Sequence, residues 1–283
     1  MQTICCTVPD SLAAALRDRI RDDHTSCQHV VASALGQYLA APIHTLFQVS
    51  TSAALVEGLY QGAVRVSRLL EHGDFGLGTF IDLDGEMVVL DGVCYRVTAD
   101  GRVARVDDDP LVPYAVVTRF APEVRADHAT FTDFAGLEAA CDALRGSDNL
   151  FHAFRVRATF THARARVMCA VHPGTHLGDA AGGQAEFDTG TIAATLVGLW
   201  APAYAGAFCV PGYHFHILSD DLRHGGHLLD CAADVATIEC CAIADLHVAL
   251  PETEAFLRAD LGRDPQAELA RAERRHEPTT QGA

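Results

Sequence analysis

Three histidines carry the metal chemistry this sequence could do. In "VPGYHFHILSDDLRHGGH", Val210 to His227, His214 and His216 stand two apart, and His227 follows Gly225 and Gly226. If "YHFHIL" is a strand, its period of two sends His214 and His216 to one face and Tyr213, Phe215 and Ile217 to the other. The glycine pair lets the returning backbone bring His227 to the same spot. Three neutral nitrogen ligands would then leave the fourth position of a zinc-like site open, which is where a catalytic metal works. His224 shares no face with the strand pair and reads as a bystander. In a chain with 15 histidines the same spacing also arises by chance, so rim histidines remain an alternative at this point.

Two other stretches offer groups that could share a pocket with the histidines. Glu86 directly follows the Asp84–Gly85 turn and opens an otherwise apolar strand, in "GDFGLGTFIDLDGEMVVLDG". It is either a solvated hairpin glutamate or a carboxylate entering a core, where it must be paired or functional. In "HAFRVRATFTHARARV", Arg155, Arg157, Arg164 and Arg166 alternate with apolar or small residues. One of them could point into a cleft and hold a substrate carboxylate with its forked donors, the others being solvated.

The chain has 283 residues, 49% hydrophobic and 20% charged, enough for a substantial core. Its formal charge, 21 − 37 = −16, argues against affinity for phosphate backbones or anionic membranes. No run of about 18 apolar residues and no signal-peptide pattern is present, so a cytoplasmic protein is expected. The 10 cysteines show no C-x-x-C spacing and read as buried small hydrophobes in a reducing compartment.

Residues 1–41 read as a β-α-α unit. A strand "TICCTV" precedes a helix opened by Pro9 and Asp10, and Thr25 with Gln28 forms a capping-box pattern for a second helix. The order resembles the ribbon-helix-helix fold, whose paired strands read the major groove. The alternate residues Thr3, Cys5 and Thr7 carry no positive charge, so a dimerising appendage is favoured over DNA binding. From Leu46 onward, short apolar runs cut by Gly and Asp predict a β-rich body with hairpins. Residues 172–186 read as a Gly-rich loop or a seam between sheets, and "TEAFLRADLGRDPQAELARAERR" as a tail helix. The expected fold is α+β and β-dominated: two packed sheet units, one barrel-like and containing "YHFHIL", with the small N-terminal unit and a C-terminal helix closing over the metal. The expected divisions are residues 1–41, a catalytic body at 45–275, and a polar tail at 276–283.

Taken in order, "LFQVSTSAALVEGLYQG", "HGDFGLGTFIDLDGEMVVLDG", "HAFRV", "GTIAATLVGLWAPAY" and "VPGYHFHILSDDLRHGGH" resemble the alpha-acetolactate decarboxylases. The resemblance spans about residues 45–275. It implies a carboxy-lyase that converts 2-acetolactate to acetoin and carbon dioxide through a metal-stabilised enediolate. By resemblance, His214, His216 and His227 are zinc (Zn2+) ligands and Glu86 is catalytic. Arg166 handles substrate, with Thr79 of the "GDFGLGTF" block as a further substrate contact. Glu273 in "RAERR" is the match for a C-terminal glutamate, with Glu268 close by. A proline usual in the family after the arginine turn is replaced in "RVMC", and Ile217 stands where an aromatic commonly follows the second histidine. A homodimer or higher homo-oligomer is expected, with no membrane partner. Two other classes stay open: a cupin-like metalloenzyme using Asp220 or Asp221, and a ligand-sensing regulator that binds DNA through residues 1–41.

Overall fold

The computed structural model describes residues 5–22, 26–39 and 44–273, with all side chains there except those of residues 28, 29, 37 and 270–273. In chain order the strands are β1 (Thr45–Val49), β2 (Val64–Arg65), β3 (Phe75–Thr79), β4 (Glu86–Leu90), β5 (Val93–Val97), β6 (Val103–Arg105), β7 (Leu111–Val112) and β8 (Tyr114–Thr118). They continue as β9 (Val124–Phe131), β10 (Phe151–Phe160), β11 (His162–Val167), β12 (Ala185–Thr189), β13 (Ile192–Ala201), β14 (Gly212–Ser219), β15 (Gly225–Ile243) and β16 (Asp245–Ala249). The α-helices are α1 (Asp10–Asp22), α2 (Cys27–Tyr38), α3 (Ser52–Val56), α4 (Val66–His72), α5 (Phe134–Asp142), α6 (Leu177–Ala180), α7 (Glu254–Arg258) and α8 (Gln266–Glu273).

Two sheets face each other. The first runs β16-β1-β8-β3-β4-β5-β6, with β16 parallel to β1. The second runs β10-β13-β14-β15-β11-β12, with β9 added on β15. Because β10 also pairs with the second half of β15, strands β10, β13, β14 and β15 close into a ring, the barrel-like half expected from the hairpin texture. One long strand serves four neighbours: the first half of β15 pairs with β14 and β11, the second with β10 and β9.

The alternation of each strand divides its side chains between cores. Phe215 and Ile217 of β14 pack inside the ring with Phe154, Leu196 and Ile238, closed by Leu137 of α5. Leu218 faces the other way, into the layer between the sheets, with Val197 and Leu199 of β13 and with Leu77, Val88 and Val116 of the first sheet. On the outer face of the first sheet, Phe47, Val89 and Val117 are covered by Val66 and Leu69 from the α4 segment. Phe215 is fully buried, and its Phe→Ala change should cost about 3–5 kcal/mol. Gly198, opposite Phe215, leaves the space this ring needs: a Cβ there would lie 2.0 Å from it.

Several expectations need correction. Cys5 to Pro9 form no strand, and the rest of "TICCTV", Thr3 and Ile4, lies outside the described residues. A lone strand has no ladder to join, so its pattern cannot be realised within one copy. Thr25 and the side chain of Gln28, the two halves of the expected cap, also lie outside what is described. The cysteines are all free, but Cys5, Cys6 and Cys27 are exposed and Cys169 is half-buried, so only the other six behave as core hydrophobes. The four arginines occupy two strands: Arg155 and Arg157 are on β10, Arg164 and Arg166 on β11. Arg155 is not merely solvated. It pairs with Asp91 and lies over the Phe75 and Phe120 rings. Residues 172–186 carry a helical turn, α6, that packs inward through Leu177. Among the described residues no helix is long and apolar enough to cross a membrane.

Candidate metal centre and active site

Strand register assembles the site before any side chain is considered. In the second sheet, His216 of β14 stands opposite His227 of β15, which stands opposite Arg166 of β11. One transverse row of the ladder therefore presents His216, His227 and Arg166 side by side. His214, two residues from His216, joins them on the same face of β14. In the first sheet, Thr79 of β3 is the partner of both Glu86 on β4 and Tyr114 on β8. The two sheets pack through β3 and β4 against β13, β14 and β15, so the two rows face one another. They enclose a cavity lined by the three histidines, Glu86, Arg166, Thr79 and Tyr114 and walled by Leu55, Leu83, Leu177, Val210 and Met168.

Gly226 is needed for His227 to enter this row. Its φ of +140° lies in the glycine-favoured region, and a Cβ would stand 2.6 Å from the Arg166 carbonyl oxygen.

The histidine nitrogens converge. His214 Nε2 lies 3.2 Å from His216 Nε2 and 3.0 Å from His227 Nδ1. Zinc–nitrogen bonds of about 2.0–2.1 Å in a tetrahedron place ligand nitrogens roughly 3.3 Å apart, so these spacings suit one small ion. His216 Nδ1 donates to the Met87 carbonyl oxygen at 2.7 Å, because a carbonyl can only accept. That bond fixes the tautomer and leaves Nε2 as a lone-pair donor facing the cavity. Burial, with Arg166 adding to it, pushes His214 down to about 3 and His227 well below the usual histidine range. His214 and His227 are therefore neutral at neutral pH, the state in which imidazole binds metal. Among the described residues this is the one group of three or more His, Cys, Asp or Glu side chains whose donor atoms converge in this way. Imidazole donors suit zinc, copper, iron or nickel.

Glu86 and Arg166 are 5% and 4% exposed, too buried for surface residues. Glu86 Oε1 accepts from the Met168 N–H at 3.2 Å, and Oε2 lies 3.6 Å from His216 Nε2. The Arg166 Nη1 atom lies 3.1 Å from Met168 Sδ and 3.2 Å from Gln184 Oε1. Thr79 donates its hydroxyl proton to the Gly85 carbonyl at 2.9 Å, which secures the turn before Glu86 and leaves only lone pairs toward the cavity.

The remaining candidates fall elsewhere. Asp221 accepts from Ser219 Oγ and the Arg223 N–H, and Asp220, His224 and Asp221 line a separate cleft beside β12 and β13. Helix α8 lies against α3 and α6, which supply Leu55 and Leu177 to the cavity wall. Its Glu268 is half-buried and raises the Tyr60 hydroxyl, whose own burial is the larger cause. Glu273 is the last residue of α8, and its side chain lies outside those described. Sequence reading missed Met168, Tyr114, Leu177 and the Met87 carbonyl. Of these only Met168 had a local signal, standing two residues beyond Arg166, just past the end of β11.

The family model for alpha-acetolactate decarboxylase matches residues 46–263. The enzyme of that name from Methylococcus capsulatus is 39% identical over 231 residues, covering 81% of this chain and 89% of the relative. That from Lactococcus lactis subsp. cremoris is 36% identical over 220 residues, covering 77% and 93%. The crystal structure of the Bacillus subtilis alpha-acetolactate decarboxylase superposes with a TM-score of 0.79 at 30% identity, over 82% of this chain and all of that one. With these matches across both facing rows of the site, the chain belongs to the alpha-acetolactate decarboxylase family.

Proposed function

We propose that this protein is a carboxy-lyase that decarboxylates 2-acetolactate to acetoin and carbon dioxide, with zinc held by His214, His216 and His227. The observation that carries the reading is the placement of three imidazoles, a buried carboxylate and a buried guanidinium around one cavity in a chain of this family. Acetolactate is a β-keto acid with a hydroxyl beside its carboxylate, so loss of carbon dioxide drives an electron pair toward the ketone oxygen. A metal bound there would supply Lewis acidity where that negative charge grows.

The chain's own groups do the rest. Arg166 orients the substrate carboxylate, and its charge favours the enediolate that forms as carbon dioxide departs. Glu86, fixed by the Met168 N–H, is placed to deliver to the enediolate carbon a proton taken up from solvent, which converts it to acetoin. Thr79, with its proton committed to Gly85, accepts from a substrate hydroxyl. Leu55, Leu83, Leu177 and Val210 keep bulk water from the enediolate. Glu273 is carried as a third catalytic group because α8 covers the helices that wall the cavity.

We divide the chain into a unit at 1–41, a catalytic body at 45–275 and a tail at 276–283; the family match over residues 46–263 lies inside the body and supports that reading. We place the protein in the cytoplasm, as a homodimer or higher oligomer paired through α1 and α2. Leu12 on α1, Leu35 and Tyr38 on α2, and Leu39 just after it are 45–87% exposed and call for a covering surface. Metal content and acetoin release, measured before and after chelation and again after zinc is restored, test the reading. Turnover should vanish and return with the metal; full activity in metal-free protein would reject it.

A further inference from the structure

We infer that Met168 is a positioning residue for this reaction, its thioether sulfur steering the Arg166 guanidinium; the inference rests on the reading of Glu86 and Arg166 given above. Met168 is 4% exposed, follows β11 directly and faces the same cavity as Arg166. It touches both reactive side chains with different atoms. Its Sδ lies 3.1 Å from Arg166 Nη1, and its backbone N–H donates to Glu86 Oε1 at 3.2 Å. The second contact belongs to the main chain and would survive any ordinary substitution. The first belongs to this side chain alone.

The choice of sulfur has a physical consequence. A thioether is a weak, uncharged acceptor. A carboxylate at this place would hold the guanidinium more firmly and cancel the charge that must meet the substrate carboxylate. An aliphatic side chain would fill the volume yet offer Nη1 no acceptor on the cavity side, leaving it the Gln184 Oε1 contact at 3.2 Å. Sulfur orients the arginine and leaves its charge for the substrate, so the effect of Met168 should fall on substrate capture more than on the chemical step.

Two replacements test this in the zinc-loaded full chain. Met168→Leu keeps the N–H and the bulk but removes the acceptor. Norleucine incorporated in a Met87→Leu background replaces sulfur by methylene at position 168 with its shape retained, since the chain holds only 3 methionines. Both proteins should show KM for acetolactate raised about three- to tenfold, with kcat within about twofold of the matched parent and metal content unchanged. A parental KM in the norleucine protein would overturn the inference. Loss of metal, or an equal fall in kcat and kcat/KM, would also overturn it, because Met168 would then be packing only. Glu86→Gln and Arg166→Lys run alongside separate the two layers. If both keep parental turnover, the site reading itself falls, whatever Met168 does.

Discussion

The N-terminal helices and the two-sheet body solve opposite problems. Helix α1 has no buried residue, and Leu12, Val31, Leu35, Tyr38 and Leu39 stand 40–87% exposed, so this unit has apolar surface that no described residue covers. The body hides charged and polar groups instead: Glu86, Arg166, His216 and His227 are all at most 5% exposed. Apolar periodicity makes a helix face, but burial of that face needs a second surface, and two helices of 13 and 12 residues do not make a core. Two facing sheets give every inward side chain a partner layer, and ladder register then fixes donors and acceptors closely enough for polar groups to be buried. The charge differs as well. Residues 1–41 sum to 3 − 4 = −1, against −16 for the chain, so nearly all the repulsion lies in the body.

The contrast can be broken most forcefully within the body. His214→Ala should lose most bound zinc and bring acetoin formation to background, since two imidazoles and solvent make a poor site for a catalytic metal. Metal analysis beside the activity assay checks it, and a variant that kept both would show that His214 does not hold the metal. Glu86→Gln should retain the metal and lower kcat by about a hundredfold to a thousandfold, because it preserves shape and removes the proton acceptor. Parental turnover would return Glu86 to the status of a hairpin glutamate.

A smaller effect concerns acid. Burial, then Arg166, depresses His214 to about 3 and His227 well below its usual range, so below about pH 6.5 the unfolded chain takes up protons that the fold refuses. The metal-free protein should therefore have its full histidine-linked stability above that pH and lose it progressively toward pH 3. Thermal melts of the apo protein at pH 7.5 and 5.5 should show a larger fall for the parent than for His214→Ala. Equal slopes would mean that these imidazoles are not held neutral by the fold. The smallest effect on catalysis should come from deleting residues 1–41. Turnover per metal should stay within about twofold while light scattering reports a smaller oligomer, because no site residue lies in that segment. An unchanged oligomer would remove pairing from the N-terminal helices, and collapsed turnover would tie them to the site.

The sequence by itself determined what each segment could offer. Period-two alternation in "YHFHIL" put His214 and His216 on one face, the two glycines allowed His227 to return, and the Asp-Gly turn marked the strand that Glu86 opens. These are local consequences of backbone geometry, and the structure has them as β14, β15 and β4. Tertiary structure decided which of several equivalent residues meet. Arg155, Arg157, Arg164 and Arg166 share the same alternation; the resemblance named Arg166, and the physical reason is its pairing with His227 across β11 and β15. From position alone Glu86 leaned toward a solvated hairpin glutamate, and its burial follows from the packing of β4 against β14 and β15. Met168, Tyr114 and Leu177 carry no motif, and they reach the cavity only because two sheets and a short helix close around it. Side-chain periodicity is written residue by residue, whereas register and sheet-on-sheet packing depend on contacts between segments far apart in the chain, which no local pattern encodes.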